Sequence, residues 1–227
     1  MSVFALIPAY DAADTVGNVV RGAKAFLSRT IVVDDGSSDA TSAEARSSGA
    51  RVLRLDSNLG KGVALRTGFS QALSEGAEAV VTIDADGQHD PMEIPRLLRC
   101  WRETNAGIVI GSRATTYDSM TPVRRFGNHF SRRAVSFFSG TAVADPQSGF
   151  RLYDARVLRC IRLRGTRYEL ESEVIVKSAR AGFAVESVDV RIPTVDGTQT
   201  SHYRPWRDTT RICLAVVLSR LRRPACS

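Results

Sequence analysis

The chain has 227 residues, of which 43% are hydrophobic and 24% are charged, and its formal net charge is +7. This composition excludes an intrinsically disordered chain and leaves room for little more than one buried domain. The positive charge is carried almost entirely by arginine and indicates an anionic partner, such as a nucleotide, a phospholipid or a nucleic acid, although a compositional bias toward arginine explains it equally well.

Short apolar runs alternate with amphipathic stretches through the first half of the chain. The predicted strands are Val3–Ile7, Thr30–Val33, Arg51–Leu55, Ala79–Ile83 and Ile108–Ile110. The predicted helices are Thr15–Ser28, Asp39–Ser48, Lys61–Ser74 and Pro91–Glu103. Unbroken runs of Val, Ile and Leu are typical of parallel strands that are buried on both faces. The alternation therefore predicts an open, mostly parallel α/β sheet flanked by helices, which binds ligands at the carboxyl ends of its strands.

The second half of the chain is less regular. It predicts a helix at Arg125–Phe138, a strand at Gly149–Tyr153, a helix at Leu170–Ala181 and a strand at Ala184–Ile192. The last segment, residues 194–227, is rich in arginine and predicts a basic helical tail from Asp208. Since no linker or repeat separates the parts, we expect residues 1–193 and 194–227 to belong to one domain.

The cysteines and the apolar segments bear on the compartment of the protein. The four cysteines, Cys100, Cys160, Cys213 and Cys226, are widely spaced and form neither a zinc pattern nor a disulfide framework. We therefore expect reduced thiols in a cytoplasmic protein. No segment approaches the roughly 20 apolar residues of a membrane-spanning helix, so membrane contact is expected only at the surface.

Two aspartates follow the predicted strand Ala79–Ile83. In an extended segment alternate side chains share a face, so Asp84, Asp86 and Gln88 are expected to point the same way. Two carboxylates and an amide oxygen are hard ligands that suit Mg²⁺ or Mn²⁺. The alternative is a turn with solvated carboxylates, but the position at the end of an apolar strand favours a metal site.

A second acidic pair follows the strand Thr30–Val33. Asp34 and Asp35 could accept hydrogen bonds from a nucleobase N–H and from ribose hydroxyls. Helix capping by Ser38 or Asp39 is the alternative use of this segment, although it leaves the two preceding aspartates unexplained.

Two further loops can contribute to a nucleotide site. Tyr10 follows the first strand, where its ring could pack on a nucleobase, although Pro-x-Tyr is also a common turn. The segment 58–62 enters a helix with two glycines and Lys61, a pattern that favours an anion. The spacing of a P-loop is absent.

These motifs, in this order, resemble family 2 glycosyltransferases with the GT-A fold, in particular the dolichyl-phosphate mannosyltransferase and polyprenyl-phosphate glycosyltransferase group. The matching segments span Val3 to about Pro193 and read IPAYD, VVDDGSSDAT, NLGKGVALRTGF, TIDADGQHDP, GSR, DPQSGFRLYD, YELESE and VRIP. The resemblance implies an inverting, metal-dependent transfer of a sugar from a GDP- or UDP-sugar to a polyprenyl or dolichyl phosphate.

The resemblance also implies residue roles. It assigns the nucleoside to Pro8, Tyr10, Val33 and Asp35, the diphosphate to Asp84 and Ala85, and the Mg²⁺ or Mn²⁺ ion to Asp84, Asp86 and Gln88. It assigns the acceptor phosphate to Arg113, Arg125 and Ser148, with Gly149 in the same turn and Glu173 as a helix carboxylate. Arg204 and His202 would belong to a basic loop that covers the donor diphosphate.

One departure from the family pattern concerns the nucleoside. The family reads Pro-x-Tyr-Asn-Glu where this chain has Asp11 and Ala12, so the glutamate is missing. Asp11 or Asp14 could replace it, which leaves the base preference open.

The acceptor admits alternatives. A lipid phosphate is already anionic and needs no strong base, whereas a saccharide or small-molecule hydroxyl needs one, for which Asp145 is the candidate. Asp145 is equally well explained as a turn residue before Pro146. A protein that binds sugar nucleotides without catalysis is the third reading, whereas nucleic acid is not expected because aromatics do not interleave with the basic residues.

The tail bears on the partners. Arginines flank the apolar stretch Ile212–Leu218, so the tail could lie on anionic headgroups at the inner face of the membrane. It could equally cover the sheet or form a dimer interface, and the oligomeric state is open.

Overall fold

The computed structural model describes residues 2–112 and 132–191, which form a seven-stranded sheet between two layers of helices. The strands are β1 (Val3–Ala9), β2 (Arg29–Asp34), β3 (Arg51–Arg54), β4 (Ala79–Thr82), β5 (Ile108–Ser112), β6 (Arg151–Asp154) and β7 (Val185–Asp189). The helices are α1 (Ala13–Lys24), α2 (Thr41–Ser47), α3 (Lys61–Ser74), α4 (Ile94–Thr104), α5 (described for residues 132–139), α6 (Ala155–Cys160) and α7 (Glu169–Arg180). A 3₁₀ turn, Pro91–Glu93, leads into α4.

The predicted elements that fall in the described residues are confirmed with small shifts at their ends, and one helix was missed. Of the predicted helix Arg125–Phe138, only the part from residue 132 onward lies in the described residues, and that part is helical. Helix α6 has six residues, which is too short to show a helical period in the sequence. Its start is nevertheless fixed by Asp154, whose carboxylate accepts the N–H of Arg156 at 2.7 Å. The segment 194–227, with its predicted helix, lies outside the described residues.

The sheet order is β3-β2-β1-β4-β6-β5-β7. All neighbouring strands run parallel except β6, which is antiparallel to both β4 and β5. The prediction of a mostly parallel α/β sheet is therefore confirmed. The chain first builds outward from β1 to β2 and β3, and then returns to place β4 on the other side of β1. Such a reversal of strand order opens a crevice at the carboxyl ends of β1 and β4, where α/β sheets bind ligands.

Both faces of the sheet are covered. On β1, Phe4 and Leu6 pack into the apolar cluster with α3, α6 and α7, whereas Ala5 and Ile7 pack into the cluster with α1, α2 and α4. Because alternate side chains of a strand point to opposite faces, a strand between two helix layers must be apolar at every position. This explains the unbroken apolar run at the start of the sequence.

The oxidation state of one cysteine differs from the prediction. Cys100 is a free thiol, but Cys160 is disulfide-bonded, so the expectation that all thiols are reduced is wrong for Cys160. Wide spacing along the chain does not exclude a disulfide, since folding brings distant residues together.

Among residues 2–112 and 132–191, no helix is long and apolar enough to cross a membrane.

Candidate functional site

The loops that follow β1 and β2 are joined by hydrogen bonds. Asp11 adopts a left-handed backbone conformation, with φ of 46°, and its N–H donates to the Ser37 hydroxyl at 2.9 Å. The Asp11 carboxylate accepts the N–H of Ser38 at 2.8 Å. Asp39 accepts the N–H groups of Ala13 and Thr41, at 3.0 and 2.9 Å, which are the first residues of α1 and α2. The N-cap residue of α2 is Ala40, not Ser38 or Asp39, and it makes no side-chain cap. These contacts fix the rim of the crevice beside β1.

The four nucleoside residues implied by the family resemblance lie along β1 and β2. Pro8 and Val33 are buried and are paired with each other across the two strands. Tyr10 is partly exposed directly after β1, and Asp11 is exposed next to it. Asp35 follows β2 and is 3% exposed. The structure thus brings these residues together at the carboxyl ends of two adjacent strands.

The acidic pair Asp34–Asp35 holds the loops together. Asp34 is completely buried and accepts hydrogen bonds from the Ser37 N–H at 2.8 Å and from the Ser42 hydroxyl. Asp35 uses both carboxylate oxygens, which accept the N–H groups of Leu59 and Gly60 at 2.8 Å each. Burial raises the pKa of Asp35, and these two N–H donors oppose that rise only in part. Asp35 thus anchors the loop that enters α3, whereas Asp34 anchors the segment that enters α2.

The loop after β4 carries the predicted metal ligands. Asp84, Asp86 and Gln88 are all partly exposed, and Ala85 between the two aspartates is buried. The Asp86 carboxylate accepts the Gln88 N–H at 3.0 Å across Gly87, whose φ of 73° suits glycine. From the opposite side, the Thr15 hydroxyl donates to the Ala85 carbonyl at 2.6 Å. The loop is therefore held in place between α1 and the end of β4.

The donor atoms of this loop fit a divalent cation of the Mg²⁺ or Mn²⁺ type, since they are carboxylate and amide oxygens. Among the described residues, no group of three or more His, Cys, Asp or Glu side chains is arranged to hold a metal ion.

Lys61 lies beside the same loop. Its ammonium group is 2.6 Å from the Asp84 carboxylate and 3.0 Å from the Glu171 carboxylate, and its side chain is 18% exposed. Burial by itself lowers the pKa of Lys61, but the two carboxylates outweigh burial and raise it above its usual value. The sequence indicated an anion near Lys61, and in the structure the anions are two carboxylates of the protein.

The second half of the site comes from the turn before β6. Gly149 packs so closely on Asp84 that a Cβ at this position would overlap with the Asp84 carboxylate. The Gly149 carbonyl accepts a hydrogen bond from the Thr82 hydroxyl at 2.9 Å. Ser148 is completely buried, and its hydroxyl accepts the Phe150 N–H at 3.3 Å. The antiparallel strand β6 thus brings the predicted acceptor turn against the predicted metal loop.

Sequence reasoning missed the residue that holds this turn. The Arg151 guanidinium is completely buried and donates to the backbone carbonyls of Pro146, Ser148 and Glu171 at 2.6–2.7 Å. The only signal in the sequence was an arginine within the otherwise apolar predicted strand Gly149–Tyr153. Such an arginine is expected to have several hydrogen-bond partners, because a fully buried charge is costly without them.

The two carboxylates Glu171 and Glu173 of α7 have different partners. The family resemblance pointed to Glu173, but Glu173 accepts the N–H groups of Arg164 and Gly165 and pairs with Lys177. Glu171 is the α7 carboxylate that contacts Lys61 and through it Asp84. Residues two apart on a helix point in nearly opposite directions, so they cannot share a role.

Asp145, the predicted general base for a hydroxyl acceptor, is completely buried. Its carboxylate accepts the Gln147 N–H at 3.2 Å, and its carbonyl accepts the Ser148 N–H. This is the geometry of a turn residue. Arg113, Arg125, His202 and Arg204 lie outside the described residues.

We expect the Gly149→Ala variant to lose about a hundredfold in turnover, because the added Cβ displaces the Asp84 carboxylate and misplaced site groups cost rates of this order. Steady-state kinetics on the folded protein checks this. Gly182→Ala is the matched control, because its Cβ meets nothing within 4 Å although the backbone φ of 86° is strained. Equal turnover in the two variants would contradict the prediction.

Comparison with known proteins gives the family and the relatives of this chain. The family model described as Glycosyl transferase family 2 matches residues 4–162. The undecaprenyl-phosphate mannosyltransferase of Micrococcus luteus is 30% identical, over 84% of this chain and 83% of that protein. The UDP-N-acetylglucosamine–dolichyl-phosphate N-acetylglucosaminyltransferase of Methanococcus voltae is 27% identical, over 83% of this chain and 84% of that protein.

Among solved structures, the chain is similar to glucosyl-3-phosphoglycerate synthase from Mycobacterium tuberculosis in complex with Mn²⁺, UDP-glucose and phosphoglyceric acid. The TM-score is 0.73 at 20% sequence identity, and the match covers 96% of this chain and 79% of that one. At this identity the likeness shows the shared fold.

Proposed function

This chain belongs to glycosyl transferase family 2, and from that premise we propose that it transfers a sugar from a nucleotide-diphosphate sugar to a polyprenyl or dolichyl phosphate. That it is a glycosyltransferase follows from the family. The lipid acceptor is supported by the relatives from Micrococcus luteus and Methanococcus voltae, whose names specify undecaprenyl phosphate and dolichyl phosphate.

The observation that carries the proposal is the meeting of three polar loops at the carboxyl ends of β1, β2 and β4. Tyr10, Asp11 and Asp35 lie at the ends of β1 and β2, and Asp84 and Asp86 follow β4. The crevice between β1 and β4 is the place where an α/β sheet receives a nucleotide. The nucleoside would therefore lie beside β1 and β2, and the diphosphate would lie at the loop after β4.

A divalent ion would be held by Asp86 and Gln88, with Asp84 on the same loop. Mg²⁺ or Mn²⁺ there supplies a Lewis acid that offsets the charge on the leaving diphosphate. The solved structure of similar fold contains Mn²⁺ together with UDP-glucose, which supports an ion of this type. Both carboxylates would contribute oxygen ligands, and that of Asp84 also contacts Lys61.

The acceptor phosphate would be bound by Arg113, Arg125 and Ser148. A bound phosphate oxygen is already an anion and can attack the sugar carbon directly, which inverts the configuration in a single displacement. The buried, turn-forming geometry of Asp145 supports this reading over a hydroxyl acceptor, because a general base must reach the acceptor proton.

The remaining parts of the proposal concern the tail. His202 and Arg204 would cover the donor diphosphate, and the basic segment 194–227 would contact anionic headgroups from the cytoplasmic side. A peripheral contact of this kind brings the enzyme to an acceptor that is confined to the membrane.

The proposal predicts transfer to a short polyprenyl phosphate from one member of a panel of UDP- and GDP-sugars, in the presence of Mn²⁺ or Mg²⁺. We expect the Arg125→Ala variant to lose most of this transfer, because the acceptor phosphate loses a charged partner worth about 2 kcal/mol or more. Initial rates of radiolabelled sugar incorporation into lipid measure it.

Arg124→Ala, with the same change of charge one residue away, is the control and should retain activity. Transfer to saccharide hydroxyls in place of the lipid phosphate, unaffected by Arg125→Ala, would overturn the lipid acceptor.

A further inference from the structure

Lys61 lies between two carboxylates that belong to different halves of the site. Its ammonium group is 2.6 Å from Asp84 on the loop after β4 and 3.0 Å from Glu171 on α7. Its charge also lies 5.8 Å from the centre of the Tyr168 ring. The side chains of Lys61 and Glu171 are 18% and 6% exposed, so water screens their attraction only weakly. The Asp84 side chain is 24% exposed, so the three charges form one partly enclosed group.

The fold enforces this position. Gly60 and Gly62 flank Lys61, and a Cβ on either would collide with the backbone around Thr166, just before α7. The start of α3 therefore packs directly against the segment that leads to Glu171. Lys61 is the first residue of α3, whose first turn carries no acidic residue. A cation at the amino end of a helix is disfavoured by the helix dipole, so the two carboxylates must hold it there.

This arrangement has a consequence for metal binding. A divalent cation that approaches Asp84 meets an ammonium group already bound to that carboxylate. The described residues provide no group of three or more His, Cys, Asp or Glu ligands that could compensate. The oxygens of a donor diphosphate provide both the missing ligands and the missing negative charge.

We propose that Lys61 is a fixed internal cation on Asp84, positioned by Glu171, which makes divalent metal binding depend on the donor diphosphate. The inference rests on the proposed function, since it concerns the same donor site. Lys61 and Glu171 are positioning residues here: they set the charge that the metal meets, and they do so before any sugar is transferred.

The test measures Mn²⁺ affinity in the absence of nucleotide, from the electron paramagnetic resonance signal of free Mn²⁺. We expect Lys61→Met to bind Mn²⁺ about tenfold tighter than wild type, because a positive charge next to the ion is removed. The matched control is Lys177→Met, which removes a similarly buried lysine from its Glu173 pair on α7, away from Asp84. The control should bind as wild type does. Unfolding cannot imitate this result, since it does not tighten metal binding.

Glu171→Gln tests the positioning part. Loss of this carboxylate leaves Lys61 held by Asp84 alone, so the single variant should bind Mn²⁺ no more tightly than wild type. In the Glu171→Gln background, Lys61→Met should still tighten Mn²⁺ binding, but by a smaller factor than in the wild-type background. Such a difference between backgrounds measures the coupling of the two residues.

The nucleotide dependence completes the test. Adding UDP or GDP should increase the Mn²⁺ affinity of wild type by a larger factor than that of Lys61→Met. Equal affinities of Lys61→Met and Lys177→Met, with nucleotide-dependent Mn²⁺ binding intact, would overturn the role of Lys61 and leave the proposed function standing. Absence of Mn²⁺ and Mg²⁺ binding in every variant, even with nucleotide, would overturn the metal site of the proposed function as well.

Discussion

The Asp86→Ala variant is expected to lose at least about a thousandfold of its sugar transfer rate, because a metal ion at a leaving diphosphate contributes several kcal/mol of transition-state stabilisation. Asp86 is the more informative carboxylate to change, because a change of Asp84 would also disturb its contacts with Lys61 and Gly149. The fold should persist, since Asp86 is partly exposed and lies in a loop outside the strands and helices. Initial rates with the preferred donor and Mn²⁺ or Mg²⁺ measure the loss.

The control for this prediction lies four residues further along the same loop. The Asp90 carboxylate accepts the Met92 N–H at 2.9 Å and so caps the 3₁₀ turn before α4. Asp90→Ala removes the same charge and costs about 1 kcal/mol of stability, but it should leave the transfer rate within a few-fold of wild type. A wild-type rate for Asp86→Ala, or an equal loss in both variants, would be incompatible with a metal ligand at Asp86.

The Arg151→Met variant is expected to lower the free energy of unfolding by about 3–5 kcal/mol. The substitution removes the donor from three carbonyls, those of Pro146, Ser148 and Glu171, and each buried acceptor left without a partner costs about 1–3 kcal/mol. For a domain of this size that corresponds to a fall in Tm of roughly 10 °C. Urea unfolding followed by circular dichroism measures the change.

The control is Arg51→Met, which removes a half-exposed guanidinium from its pair with Glu75 on the surface. Exposed pairs of this kind contribute about 0–1 kcal/mol, so this variant should unfold close to wild type. Similar losses in the two variants would show that Arg151 does not hold the turn. Below its Tm, Arg151→Met should also transfer sugar more slowly, because Gly149 and Asp84 then lose their fixed contact.

Much of the first half of the molecule could be predicted from the sequence. The apolar runs of β1, β2 and β4 and the helical periods of α1, α3 and α4 identify an α/β sheet, and carboxyl ends of parallel strands bring their loops together. The aspartates at these ends, Asp35 and Asp84, were therefore expected at one site. What the sequence did not reveal is that Asp35 is used by the protein itself, on the N–H groups of Leu59 and Gly60.

The second half of the site was harder to predict because it depends on contacts between distant segments. Nothing in the order of the chain shows that β6 inserts antiparallel between β4 and β5, yet this insertion brings Gly149 against Asp84. Arg151 looks like an ordinary strand residue until its three carbonyl partners are known. The residues that meet in these contacts come from separate segments of the chain.

The sequence by itself determined the fold class, the identity of the polar loops and the family, because hydrophobic period and short motifs are local properties of the chain. The tertiary structure alone decided which charged groups meet. Glu171 and Glu173 lie two residues apart on one helix, and only the rotation of α7 against α3 places Glu171 on Lys61 and Glu173 on the backbone of Arg164 and Gly165. Ionic contacts depend on distances of a few ångströms between elements, and packing sets those distances.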